Sequence, residues 1–129
     1  MDNKIKNKII KTASENEDKY GNCTQSLLSG FISNLNIKDK GVFKSAYGLA
    51  GGVGLSTNGT CGALSGGTIV LGTILGRNEK DYYDGKKGNI EYYQPFKQLI
   101  DKFEEKYGGC TCKKVHQKVF GRVFNFWKE

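Results

Sequence analysis

From Gly48 to Gly76 the chain reads GLAGGVGLSTNGTCGALSGGTIVLGTILG, and no other stretch restricts the fold so tightly. Its first half is a loop whose glycines free the backbone for left-handed turns and for close approach to another group. Its second half, from Cys61 to about Gly76, mixes small residues with Leu64, Ile69, Val70, Leu71, Ile74 and Leu75 and reads as an apolar helix. Each helical glycine costs about 1 kcal/mol relative to alanine, so close helix–helix approach in a core is expected to offset the loss. Thr60 is a good N-cap, which places Cys61 at the first helical position. There the free N–H groups and the positive end of the helix dipole lower a thiol's pKa. Cys61 is therefore expected to be reactive or ligating.

The other segments carry helical periodicity. Lys4–Tyr20 sets Ile5, Ile9, Ile10 and Ala13 on one face, and Gly21 ends it. Asn22 caps a second helix that opens at Cys23 and presents Leu27, Leu28, Phe31, Ile32 and Leu35. After a turn over Asn34–Lys40, a third helix over Lys40–Ala50 is predicted to bury Val42, Phe43, Ala46 and Tyr47. The glycine-rich helix is the fourth. Asn78–Asn89 is polar and reads as a loop, with Tyr82, Tyr83, Tyr92 and Tyr93 around it as half-buried packing residues. A fifth, strongly amphipathic helix carries Phe96, Leu99, Ile100, Phe103 and Tyr107, with Pro95 in its first turn and Gly108–Gly109 as its stop. Thr111 caps a last helix that opens at Cys112 and carries Val115, Val119 and Phe120. No alternating strand pattern of useful length occurs. The expectation is an all-α fold, a single compact bundle of five to six helices with the glycine-rich helix buried at its centre.

Size and charge narrow the class. The 129 residues suit one domain, 1–129, with an ordinary apolar share of 37%. No apolar run approaches the roughly 20 residues of a membrane span, and the N-terminus lacks a secretory pattern, so a cytoplasmic location is expected. The net charge of +7 comes from scattered lysines; only Arg77 and Arg122 supply guanidinium groups. A nucleic-acid footprint needs a concentrated basic stripe, and neither nucleic acid nor membrane is expected as a partner. Two familiar glycine-loop chemistries also fail. There is no Gly-Lys-Ser/Thr for a phosphate loop and no strand-led G-x-G-x-x-G for a dinucleotide.

Cysteine placement carries the strongest chemical signal. Gly21-Asn22-Cys23, Gly59-Thr60-Cys61 and Gly109-Cys110-Thr111-Cys112 repeat one grammar: a glycine, a capping residue, then a cysteine opening a helix. If the three helix starts converge, they form an electropositive pocket lined by thiols. Such a pocket suits thiolates, an anionic metal–sulfur cluster or a reversible disulfide. Cys112 and His116, four apart on one helix face, add a candidate metal pair. No C-x-x-C or zinc-finger spacing is present, and reduced cytosolic thiols favour metal or redox use over structural disulfides.

These residues also carry a resemblance. Cys61-Gly62-Ala63-Leu64-Ser65-Gly66 fits CGAxxG after the loop AGGVG, with an upstream cysteine in NCTQSLLSGF and downstream ones in KYGGCTCKKVHQKVFGR. From about Tyr20 to Arg122 the chain resembles the small bacterial and archaeal family of redox-active proteins named for the C-GCAxxG-C-C cysteine pattern. The resemblance implies an all-helical protein without a defined reaction. It matches Cys23 and Cys61 to the first two family cysteines, Cys112 to the third, and Gly62, Ala63 and Gly66 to the motif that surrounds the cofactor or thiol site. Cys110 stands in for the fourth cysteine, or the chain is shortened at its C-terminus, which would leave Phe124, Phe126 and Trp127 uncovered and open to a partner such as a second copy.

Two functions follow as expectations, ahead of a third reading as a basic adaptor whose cysteines are incidental. The first is a redox-active, electron-transfer protein with Cys23, Cys61 and Cys112 as reacting thiols and Cys110 as resolving thiol. In its other form Cys23, Cys61, Cys110, Cys112 and His116 hold an iron–sulfur cluster or another metal ion. The second function is a structural metal-binding helical interaction module without redox activity.

Overall fold

Seven α-helices and two short 3₁₀ turns make up the regular structure among the described residues, 1–38, 41–85 and 89–128 of a computed structural model. The helices are α1 (Asn3–Tyr20), α2 (Cys23–Leu35), α3 (Val42–Ser45), α4 (Gly62–Leu75), α5 (Glu79–Tyr83), α6 (Gln94–Tyr107) and α7 (Cys112–Phe120). The 3₁₀ turns cover Tyr47–Leu49 and Ile90–Tyr93. The only sheet-like pairing among the described residues is one antiparallel bridge, Thr60 to Thr111. No described helix is long and apolar enough to cross a membrane.

The extra helix is α5, inside the segment read as a loop. Asn78 accepts the Asp81 N–H at 2.8 Å, Glu79 and Asp81 occupy the first turn, and Lys80 pairs with Asp84 at 2.6 Å. These local polar contacts hold a single turn without any apolar stripe. Residues 86–88 of the expected loop lie outside the described residues, as do 39 and 40 of the expected turn. Tyr82, Tyr83, Tyr92 and Tyr93 are all more than half exposed, so they are surface residues rather than half-buried packing.

The third helix is shorter than its periodicity implies. It stops at Ser45 and gives way to a 3₁₀ turn, and both segments are tied by carbonyl contacts to the start of α2 and its cap. Gln25 Nε2 donates to Phe43 O at 3.1 Å and Asn22 Nδ2 donates to Tyr47 O at 3.1 Å. Ala46 is buried as expected, but Phe43 is 36% and Tyr47 is 70% exposed.

Packing centres on α2. Leu28, Ala46 and Val70 form a buried cluster joined by Leu27, Phe31, Ile32, Ile37, Val42 and Ile69. On one side α1 crosses closely at Gly30, where a Cβ would lie 2.6 Å from the Ile9 carbonyl oxygen. Asn16 Nδ2 donates to Ser29 Oγ at 2.8 Å across this contact, and Asn34 Nδ2 to Thr12 Oγ1 at 3.2 Å. On the other side α4 lies against the start of α2. Gly62 and Gly66, one turn apart, face Thr24 and Leu27: a Cβ at Gly62 would sit 2.6 Å from Thr24 Oγ1, and one at Gly66 3.0 Å from Leu27 Cδ2. The glycines of α4 thus permit the close approach that offsets their entropy. The helix is not buried along its whole length, however. Gly62, Leu64, Gly66 and Val70 are buried, whereas Ile74 and Leu75 at its end are 59% and 52% exposed.

The loop before α4 is tied to the start of α7. Cys61 N donates to Cys110 O at 2.7 Å, Cys112 N to Gly59 O at 2.9 Å and Lys113 N to Thr57 O at 3.0 Å. Earlier in the loop, Gly51 to Leu55 are five consecutive residues with positive φ. Val53 and Leu55 pay a steric cost in that region, and the turn closes through Thr57 N to Gly51 O at 2.9 Å and Gly59 N to Gly52 O at 2.8 Å. The result brings the starts of α2, α4 and α7 together.

Candidate functional site

Cys23, Cys61 and Cys112 line one pocket of about 620 Å³. Each comes from a helix start, for local reasons that differ slightly. Asn22 caps α2 in a left-handed conformation (φ 68°), its side chain accepting the Gln25 N–H at 2.9 Å, so Cys23 opens the helix. Thr111 caps α7 by accepting the Lys114 N–H at 3.3 Å, so Cys112 opens that one. At α4 the expectation shifts by one position. Thr60 is taken up by the bridge to Thr111, and Cys61 itself is the N-cap, with Gly62 at the first helical position.

The Cys23 and Cys112 sulfurs each face an N–H donor, while Cys61 makes no side-chain capping hydrogen bond. Gly51 N–H donates to Cys23 Sγ at 3.5 Å. The N–H groups of Ala63 and Leu64, in the first turn of α4, act on Cys61 and lower its pKa. His116 Nε2 lies 3.6 Å from Cys112 Sγ. The Phe124 N–H donates to His116 Nδ1 at 3.3 Å, which makes Nδ1 an acceptor and places the ring proton of the neutral imidazole on Nε2, facing the sulfur. The backbone presses equally close. A Cβ at Gly62 would overlap Cys23 Sγ, and one at Gly52 would lie 2.7 Å from Cys112 Cβ.

The thiol pKa values run opposite to the expectation of a lowered Cys61. Burial is the largest influence on Cys61 and raises it, outweighing the Ala63 and Leu64 N–H groups, and negative charge on Cys23 would raise it further. Burial also pushes Cys112 from 9.0 up to about 11, with charge on Cys61 and Cys23 adding to the rise. A helix start lowers a thiol's pKa only while water still reaches the sulfur; here desolvation exceeds the dipole. The influence of Cys23 on Cys61, and of both on Cys112, also shows that the three cysteines are near neighbours.

The remaining sequence-picked residues divide. Gly62 lines the pocket; Gly66 serves the α2 contact instead, and half-buried Ala63 contributes its N–H. Cys110 is half-buried and pairs through its backbone with Cys61, but its side chain does not line the pocket. Phe124 and Phe126, which a shortened chain would leave uncovered, stand 5.7 and 5.4 Å from the His116 ring and line the pocket, Phe124 half-buried and Phe126 still 41% exposed. Trp127 remains 76% exposed. Leu55, Val115, Phe120 and Glu17 also line the pocket and were not picked out as site residues from sequence. Val115 and Phe120 are signalled by the apolar stripe of α7; Glu17 and Leu55 carry no local signal, because distant chain segments bring them to the pocket.

A metal ion or cluster requires at least three ligands presenting lone pairs at bonding distance. Among the described residues, no group of three Cys, His, Asp or Glu side chains is arranged to hold an ion. His116 has its Nδ1 lone pair engaged by Phe124 and directs a proton rather than a lone pair at Cys112. As placed, these donors do not fit a metal centre. What they can do is bring thiols together in a largely apolar enclosure, each beside a group that stabilises negative charge on sulfur.

Over residues 21–126 the chain matches the protein family described as "Putative redox-active protein (C_GCAxxG_C_C)". No curated protein and no solved structure matches it.

Proposed function

We propose that this chain, which belongs to the C_GCAxxG_C_C family over residues 21–126, is a dithiol–disulfide redox protein whose exchanging sulfurs are drawn from Cys23, Cys61 and Cys112. The observation that carries the reading is the convergence of three helix-start thiols on one pocket, with N–H donors facing the Cys23 and Cys112 sulfurs. In the forward step two thiols lose their protons, one S–S bond forms, and two electrons pass to an external acceptor with those two protons. In the reverse step a reductant's electron pair cleaves the bond and both sulfurs regain protons.

The electrostatics suit this cycle. Burial favours the protonated form of Cys61 and Cys112 and limits their non-specific oxidation, because the thiolate is the reacting form. When a neighbouring sulfur is attacked, charge develops on the leaving sulfur. The Gly51, Ala63, Leu64 and His116 N–H groups are already in place to receive it. A cytoplasmic setting, where thiols return to the reduced state, belongs to the same reading.

Redox titration tests it directly. The protein is equilibrated in buffers of graded reduced and oxidised dithiothreitol, quenched by alkylation and mapped by non-reducing peptide mass spectrometry. The expected result is one reversible disulfide, joining two of Cys23, Cys61 and Cys112, with a mass loss of two hydrogens that excess reductant restores. Four free thiols across the whole series, or a bridge that always includes Cys110, would end the assignment.

A further inference from the structure

The pocket's walls say more about the acceptor than its sulfurs do. Apart from the thiols, the lining is dominated by Leu55, Val115, Phe120, Phe124 and Phe126, and among the described residues no Lys or Arg belongs to it. In a chain of net charge +7 this lining is sparsely charged: among the described residues Glu17 is its one formally charged member. An anionic acceptor such as a glutathione disulfide or a dinucleotide would find the nearby Arg122 guanidinium stacked over the Phe124 ring at 4.0 Å rather than among the lining residues. It would also lose hydration against phenylalanine without gaining a paired partner. An uncharged flat molecule meets none of these costs.

The aromatic walls favour a ring. Phe120 and Phe124 stand edge to face at 5.3 Å, and His116 holds edge-to-face contacts with Phe120, Phe124 and Phe126 at 5.9, 5.7 and 5.4 Å. Such a set offers faces and edges to an inserted ring at ordinary aromatic spacing. A volume of about 620 Å³ lies within the range of small-molecule sites, roughly 300 to 1,000 Å³.

Building on the dithiol reading, we infer that the pocket binds a quinone, an uncharged aromatic-sized two-electron acceptor, and that the thiols reduce it. The balance closes without another reactant. Two S–H bonds break and one S–S bond forms in the protein, while the two electrons and both protons arrive at the two quinone oxygens, giving the hydroquinone. His116, with its Nε2 proton directed at Cys112, is a positioning residue in this scheme: it holds that sulfur at the aromatic wall.

The test uses the reduced full chain under anaerobic conditions with tetramethyl-1,4-benzoquinone, whose fully substituted ring disfavours simple thiol addition. Loss of quinone absorbance is followed by stopped flow, with glutathione disulfide and hydroxyethyl disulfide in parallel. Expected are a rate that saturates with quinone, one hydroquinone formed per chain, and turnover at least tenfold faster than with either disulfide at equal concentration. Phe120→Ser, at a side chain already 60% exposed and so tolerant of truncation, should raise the half-saturating quinone concentration at least fivefold. A linear, non-saturating dependence that Phe120→Ser leaves unchanged overturns the assignment, as does a faster reaction with either disulfide. Equilibrium dialysis of the quinone against a Cys23→Ser, Cys61→Ser, Cys112→Ser triple variant reads binding apart from chemistry; no retention there also overturns it. The dithiothreitol series separates the two levels of argument. A disulfide that forms in those buffers beside an inert quinone removes the acceptor and leaves the dithiol, whereas no disulfide at all removes both.

Discussion

Thr24 shows how much the site constrains its neighbours. It is fully buried, and its Oγ1 has no hydrogen-bond partner among the described residues because Gly62 fills the space in front of it. An orphaned buried hydroxyl costs about 1–3 kcal/mol of desolvation, and an apolar group of the same shape removes that cost. Thr24→Val should therefore raise stability by about 1 kcal/mol, seen as a higher urea midpoint at unchanged slope; a lower midpoint would mean that the hydroxyl has an unrecognised partner. Cys112 gives a second prediction at this scale, with its sign set by linkage. Its pKa is raised in the fold from 9.0 to about 11, so the folded state holds the proton more tightly than the unfolded chain. The stability this supplies is present in full below pH 9 and is lost as the pH rises from 9 to about 11. Urea midpoints between pH 8 and pH 11 should fall more steeply for the wild-type chain than for Cys112→Ala. Iodoacetamide labelling of Cys112 in the native protein should likewise stay slow at pH 8 and accelerate toward pH 11. Equal slopes and fast labelling at pH 8 would contradict the burial-driven shift.

At the scale of elements, one contact decides whether the pocket exists. Gly62 lets the N-terminus of α4 lie on Cys23 and Thr24, so Gly62→Ala must move either the sulfur or the helix. Overpacking of this kind costs about 1–3 kcal/mol. The expected outcome is a urea-unfolding loss of that size together with a shift in the equilibrium between Cys23 and its partner thiols in the dithiothreitol series. Gly72→Ala is the control: nothing lies within 4 Å of its added Cβ, and helix propensity alone should make it neutral or stabilising. If both variants behave alike, the close approach is not what holds the thiols together. The helix starts behind this contact were legible in the sequence because each is written in short-range chemistry. Asn22 and Thr111 cap the helices they were expected to cap, and Gly21, Gly108 and Gly121 end the helices before them with positive φ. The convergence of these starts, and the glycine loop as their neighbour, could be conjectured from the repeated cysteine grammar. The parts that sequence did not disclose depend on partners far along the chain. Thr60 leaves its expected capping role for a bridge to Thr111, the short α3 and the 3₁₀ turn after it are tied to Gln25 and Asn22, and the aromatic tail turns back onto His116. The raised thiol pKa values belong to the same group, since burial is a property of the assembled pocket and the helix dipole can be read from one segment.

For the whole molecule, the distribution of apolar burial makes redox state a matter of stability. The buried hydrophobic residues are few and mostly small: Ile9, Leu28, Ala46, Ala50, Leu64, Val70 and Cys112, while large side chains such as Ile90, Tyr83 and Trp127 stay largely exposed. A thin core of this kind leaves a small margin, and α7 in particular is attached mainly through the bridge at Thr111, its contact with α6 and the pocket. A disulfide between any two of Cys23, Cys61 and Cys112 would close a loop of roughly 40 to 90 residues, which in the chain-entropy account destabilises the unfolded state by about 4 kcal/mol. That gain is large against the total stability of such a domain, so oxidation should raise the melting temperature by more than 10 °C if the native geometry accepts the bond without strain. Calorimetry of fully reduced and fully oxidised protein, with the bridge verified by mass, measures the difference. A smaller rise would report strain in the oxidised site and hence a more oxidising couple, because strain in the native disulfide and ease of reduction are the same free energy. A fall on oxidation would mean that the bond forms only by displacing a helix start, and the pocket would then be an arrangement of the reduced protein alone.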